Sequence, residues 1–124
     1  MGLTLADGQL AASSGTILAA GSIERTVNVI LTNTGTATET VIVSVSRAGG
    51  TARRLIRIGV ESYESLYITG LPLDPADTIA AYTTNATTVD YLITLGSGPF
   101  TIVASSAVRM LTEIRELLWS LSPR

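Results

Sequence analysis

Glu61, Glu64, Asp74 and Asp77 lie close enough along the chain to raise the question of acid/base or metal chemistry. General acid–base catalysis needs a carboxylate pair held together in a cleft, and calcium takes about six to eight oxygen ligands. Asp74-Pro75-Ala76-Asp77 lacks the dense Asp/Asn/Gly ladder of a calcium loop. Turn formation, through side-chain bonds to the backbone beside proline, accounts for the same two aspartates. Asp90, beside Tyr91 in mid-strand, reads as solvent-facing. Histidine, cysteine and lysine are absent and all eight cations are arginine, which stays protonated at any working pH. Proton-transfer roles fall to ten carboxylates and four tyrosines. The expectation is a protein that is not an enzyme, with no catalytic residues, no metal and no cofactor.

Arg47, Arg53, Arg54 and Arg57 form the cationic cluster, on one strand and the end of its hairpin partner. Strict alternation places Arg53 and Arg57 on one face and Arg54 on the other. A solvated sheet face accounts for them. The alternative is an interface, since a planar guanidinium pairs carboxylates bidentately and tolerates partial desolvation better than lysine. Gly49-Gly50 and Gly96-Ser97-Gly98 lack the following lysine and the strand-to-helix setting of a phosphate cradle, so nucleotide binding has no support.

The elements that must carry these residues are strands. In Ile23–Thr32, Val27, Val29 and Leu31 alternate with Thr26, Asn28 and Thr32, the pattern of a half-buried strand. Asn33-Thr34-Gly35-Thr36 supplies a turn, and Glu39–Arg47 then alternates with Val41, Val43 and Val45 on one face, so the two runs read as a hairpin. Ala48-Gly49-Gly50 turns the chain into Thr51–Ile58. Glu64–Thr69 points Leu66 and Ile68 inward and Tyr67 outward or at an edge, and is expected to stop at Gly70-Leu71-Pro72-Leu73-Asp74-Pro75, where two prolines remove ladder donors. Thr78–Thr84 and Val89–Leu95 read as a further hairpin about Asn85-Ala86-Thr87, and Gly8–Leu18 as one or two short edge strands. About seven short strands with turns roughly every eight to twelve residues favour a two-sheet antiparallel sandwich.

Near Ser105 the register changes. Phe100–Val103 is a short apolar extension, strand or linker, and Ser105 or Ser106 can cap a helix over Ala107–Leu121 that Pro123 ends. Ala107, Leu111, Ile114, Leu118 and Leu121 recur at spacings of four, three, four and three, a heptad seam flanked by Val108 and Leu117, with Arg109 and Glu113 paired on the exposed flank. A lone helix of this length is marginal in water and must dock. It can cover the chain's own sandwich or pack against copies of itself or another protein. The wide stripe and Trp119 favour the second arrangement, which makes Ala107, Leu111, Ile114, Leu118, Trp119 and Leu121 interface residues.

With 124 residues the chain is the size of one domain with one core. A net charge of −2 and only 15% charged residues leave no electrostatic footprint for a nucleic-acid backbone and no polybasic patch for a membrane. No apolar run is long enough to cross a bilayer, and residues 1–15 lack the basic-then-apolar order of a signal peptide, so a soluble, unprocessed chain is expected. Hydrophobic content of 46%, with a single Trp and a single Phe, is high for a small monomer and points to surface that meets a partner.

From Leu10 to Gly96 the order of motifs resembles the small β-sandwich structural proteins of tailed-bacteriophage virions, the capsid decoration or cement proteins. The residues that carry the resemblance are Leu10–Thr16, Val27-Asn28-Val29-Ile30-Leu31-Thr32-Asn33-Thr34-Gly35, Val43–Arg47 with Gly49–Arg54, Leu73–Ile79, and Val89-Asp90-Tyr91-Leu92-Ile93. What it implies is a virion component, made in the host cytoplasm, that sits on the capsid surface and reinforces the shell. Its partners would be the major capsid protein or other virion proteins, often with the chain as a trimer. A tail, collar or head-fibre protein is the near alternative. A carbohydrate-binding or adhesion β-module is the distant one, and would need two or more of Tyr63, Tyr67, Tyr82 and Tyr91 on one exposed face. The expected architecture is thus all-β, an antiparallel β-sandwich or jelly-roll-like domain over 1–98, followed by a linker strand and a C-terminal amphipathic α-helix over 99–124.

Overall fold

A computed structural model describes residues 4–48, 50–84 and 88–104. These form nine strands: β1 (Thr4–Gln9), β2 (Gly15–Leu18), β3 (Arg25–Asn33), β4 (Glu39–Ser46), β5 (Ala52–Val60), β6 (Ser65–Leu73), β7 (Thr78–Thr83), β8 (Val89–Leu95) and β9 (Thr101–Ala104). Two antiparallel sheets result, one ordered β1-β8-β3-β6-β9 and the other β2-β7-β4-β5. No helix occurs among the described residues. The helix expected over Ala107–Leu121, with its seam residues, lies outside them.

The period-two pattern sets which side of each strand is buried. Val27, Val29 and Leu31 of β3, Leu66 and Ile68 of β6, and Ile93 of β8 are fully buried from the first sheet. They share one apolar cluster with Val41 and Val43 of β4 and Ile79 of β7 from the second. Packing two inner faces against each other is how antiparallel sheets remove their apolar sides from water, at about 25 cal/mol for each Å² covered.

β4 and β5 form the expected hairpin. The other two expected hairpins do not form. β3 pairs with β6 and β8, β4 pairs with β5 and β7, and so β3 and β4 lie in opposite sheets; β7 and β8 are separated in the same way. The reason is that a strand with one apolar face is satisfied equally by lying beside a similar strand or by facing it across a core. The short connections carry the chain over the edge of that core.

Asn33 holds one such crossing. It is fully buried; its Nδ2 donates to the carbonyls of Ala37 (2.7 Å) and Val60 (2.9 Å), and its Oδ1 accepts from the Gly35 amide at 2.9 Å. The end of β3, the turn after it and the end of β5 are thereby joined through one amide side chain.

β6 does not stop at Gly70. It runs on to Leu73, with Pro72 opposite Thr26, because β9 covers only Leu66–Thr69 and the proline lies where no second neighbour needs its missing N–H. A bulge accompanies this: Val27 faces Leu71 and Val29 faces Ile68, leaving Asn28 opposite both Thr69 and Gly70. Gly70 has φ +67°, and its amide donates to Asn28 Oδ1 at 3.1 Å. A β-carbon there would sit 2.3 Å from the Pro99 carbonyl oxygen, so glycine is what lets residues 98–99 pass closely and lead into β9.

Replacing Asn33 with alanine strands the buried Val60 carbonyl and removes the partners of the Ala37 carbonyl and the Gly35 amide. Asn33→Ala is expected to lower unfolding stability by about 3 kcal/mol, read as a reduced urea midpoint at unchanged m-value.

Candidate functional site

The outward face of the first sheet carries an apolar row that single-strand alternation does not display. Ile30 of β3 is directly opposite Tyr67 of β6 on one side and Leu92 of β8 on the other, and Tyr67 is opposite Val103 of β9. Leu92, Ile30, Tyr67 and Val103 therefore form a continuous rung across four strands. Tyr67 is 40% exposed, Leu92 and Val103 are each 36% exposed, and Ile30 is half-buried between them.

Polar rungs border the row on both sides. Asp90, Thr32 and Ser65 line one, with Thr32 Oγ1 and Ser65 Oγ 2.8 Å apart. Thr94 and Asn28 begin the other, and Thr69 and Thr101 complete it with their hydroxyls 2.5 Å apart. Each strand shows only one apolar residue among polar outward neighbours, so the signal was present four times over in the sequence, but only the register assembles it.

The outward face of the second sheet carries arginine. The expected grouping of Arg53 with Arg57 is corrected by a bulge: Val43 faces Ile56 while Ser44 faces Arg54, so Leu55 is the extra residue and parity inverts there. Arg54 and Arg57, opposite Ser44 and Ile42, share the outward face, and Arg53, opposite the inward-facing Val45, is on the other side. Ile42 is only 5% exposed although outward-pointing, lying between its cross-strand neighbours Arg57 and Tyr82. Arginine and tyrosine shield apolar neighbours in this way with the body of the side chain while the polar tip stays wet.

Arg47 is drawn out of the cluster by Asp77. Its guanidinium pairs with the Asp77 carboxylate, which also accepts the amides of Asp74 (2.8 Å) and Ala48 (3.2 Å). Asp77 is buried, and it ties the β4–β5 turn to the β6–β7 turn. Burial pushes its carboxyl up, but the Asp74 amide, the Arg47 guanidinium and the Ala48 amide together outweigh that and hold it below the ordinary 3.8. Structural turn formation thus employs Asp77. Another polar clasp joins β7 to β4, where Thr84 Oγ1 donates to the buried Glu39 carboxylate at 2.9 Å.

The four tyrosines go to different places. Tyr67 and Tyr82 are on the outward faces of opposite sheets, Tyr63 is at a loop tip with φ +60°, and Tyr91 packs against the core and over Gly8 of β1. One shallow depression of about 550 Å³ is lined by Ile23, Arg25, Pro72, Asp74 and Leu95, and Arg25 there donates to the Ala19 carbonyl at 2.6 Å. Among the described residues no three Asp or Glu side chains gather as a metal site would require.

Comparison with known proteins returns no matching family model, no matching curated protein and no matching solved structure.

A carboxyl held low in the folded state adds stability above its unfolded value and loses it as pH falls through the folded value. Urea midpoints of the wild-type chain and Asp77→Asn are therefore expected to differ, wild type higher, at neutral pH. The gap narrows as the pH drops through 3.8 and below.

Proposed function

We propose that this chain is a structural protein of the tailed-bacteriophage virion that binds the capsid shell and stabilises it as a decoration or cement protein. The observation that carries the reading is the order of strand pairing. β1 pairs with β8, β2 with β7, β3 with β6 and β4 with β5, which is one long hairpin of eight strands rolled into two facing sheets. That is the wrapping of a jelly-roll β-sandwich, an architecture used by viral capsid domains and by lectins. The resemblance of the Leu10–Gly96 motifs to decoration proteins selects the virion use over the lectin one. The scattering of the tyrosines removes the shared aromatic platform that a sugar would need.

Shell reinforcement asks for rigid shape and contact area without an active site. Arg54 and Arg57 on the outward face of the second sheet offer planar forks for carboxylates of the major capsid protein. Edge strands β2 and β5 are positioned to add to a neighbour's sheet. Each contact can be weak, since many copies on one lattice multiply its effect. The chain works as a homo-oligomer, a trimer, with neither nucleic acid nor membrane as a partner. A tail, collar or head-fibre protein built on the same rolled sheets is the second reading.

Two measurements test this. Light scattering on the full chain is expected to give the mass of a trimer, and a monomer at every concentration rejects that oligomer. Gold-labelled antibody on purified virions of the phage that encodes the chain is expected to decorate the head in a regular array. Label confined to the tail or collar selects the second reading, and absence of the chain from the particle by mass spectrometry rejects both.

A further inference from the structure

The loop between β5 and β6, residues 61–64, holds a bulky side chain in a backbone conformation that strains it. Tyr63 has φ +60°, the left-handed region where a β-carbon crowds the following carbonyl and where glycine or asparagine sits more easily. The turn itself accounts for the angle. The Tyr63 amide donates to the Asn33 carbonyl at 2.8 Å, the Asn33 amide donates to the Glu64 carbonyl at 3.0 Å, and the Glu64 amide donates to the Glu61 carbonyl at 3.0 Å. None of those bonds uses the ring. Glycine meets the backbone requirement with less strain, and the other two described non-glycine residues at positive φ, Ala48 and Ala76, are small.

The core does not use the ring either. Tyr63 is 72% exposed, the most exposed of the large apolar and aromatic residues among those described. We infer that Tyr63 is the anchor by which this chain enters a pocket on its partner, a protein surface with a basic rim. The inference rests on the proposed attachment to the shell, and it names the residue and the chemistry of that contact. Ser62 Oγ donates to the Gly35 carbonyl at 2.6 Å, and Asn33, which takes the Tyr63 amide, is fully buried. The loop is thereby pinned to the β3–β4 turn on both sides of the ring, and a side chain presented on a fixed loop loses little freedom on binding. Tyrosine turns about only two side-chain bonds and brings a large area with one polar tip, the properties of residues in which interfaces concentrate their energy.

Charge decides what kind of surface receives it. β3 and β5 end, and β4 and β6 begin, at this end of the sandwich, which places Glu39, Glu61 and Glu64 there. Arg25 starts β3, Arg47 follows β4, and Arg53 and Arg54 lie at the start of β5, all at the opposite end, with Arg57 midway. The tip around Tyr63 is therefore acidic, with no cation among the described residues, and it repels an acidic partner while attracting a basic one. The arginine-bearing face of a second copy is basic as well. Its apolar centre, Ile42, is only 5% exposed between Arg57 and Tyr82, so that face offers no socket for a ring.

Heads of the encoding phage prepared without the chain are the probe, and the full chain is titrated onto them. Wild type is expected to bind, and more weakly as salt is raised. Tyr63→Gly is expected to unfold at the same or a higher urea concentration and to lose about tenfold or more in affinity for the heads. Tyr63→Phe, which keeps the ring, is expected to retain most of the affinity. Undiminished binding by Tyr63→Gly overturns the inference, as does a loss in Tyr63→Phe equal to that in Tyr63→Gly. A fall in the urea midpoint of Tyr63→Gly also overturns it, since the ring then serves the fold, and binding indifferent to salt overturns the basic rim. A lower mass for Tyr63→Gly by light scattering overturns it by assigning the ring to a contact between copies. Wild type that fails to bind the heads rejects the proposed attachment and the inference with it, whereas every other adverse outcome leaves the attachment standing.

Discussion

Period-two geometry at β3 is the constraint from which the rest of the molecule follows. Val27, Val29 and Leu31 are fully buried, and β3 is paired on both sides, with β6 and with β8. Once those three side chains must face the core, Ile30 must face away, and the ladder on each side fixes which neighbours stand next to it. The outward rung is therefore not an independent feature of the surface. A one-residue slip of β3 would expose the core triplet and bury Asn28 and Thr32, so burial of the inner face holds the outer face in register as well.

Around that frame the few buried polar groups sit where the chain changes sheet. Asn33 joins the end of β3 to the end of β5, Glu39 joins the start of β4 to the residue after β7, and Asp77 joins the turns at the ends of β4 and β6. Each is bonded to backbone groups or to a side chain beside a crossing, where the ladders cannot satisfy the backbone. An apolar core has no directional preference, and these groups supply one: they specify which loop lies on which sheet edge. Turn formation, the reading of Asp77 that its place beside proline offered, is what its bonds to the Asp74 and Ala48 amides show.

Much of the strand content was legible because it depends on alternation, which is local. Val41, Val43 and Val45 face the core as their spacing requires, as do Leu66 and Ile68, and Tyr67 faces out. What stayed hidden depends on partners distant in sequence. The alternation of β3 and β4 is the same whether they lie side by side or face to face, so the sheet crossings could not be read. The extra residue at Leu55 reverses the faces of the arginines on either side of it, and nothing in Arg53-Arg54-Leu55-Ile56-Arg57 announces it. Pro72 was a stop signal by its chemistry and a strand residue by its place, because the missing neighbour is set by how short β9 is. The candidate surface was least legible, since its four residues come from four strands.

Rolling one long hairpin also sets how far apart in sequence each pair of partners lies. Only the β4–β5 pair is local; each successive pairing outward closes a longer loop, the longest being the one that brings Thr4 to Thr94. Loop-closure entropy must be met before those distant contacts return anything, which places such topologies in the slow range, milliseconds to seconds by order of magnitude. On the ribosome, β1 therefore waits without its partner until β8 has emerged. During that interval its edge is open, and the charged Asp7 and polar Gln9 make β1 a poor template for another chain's strand.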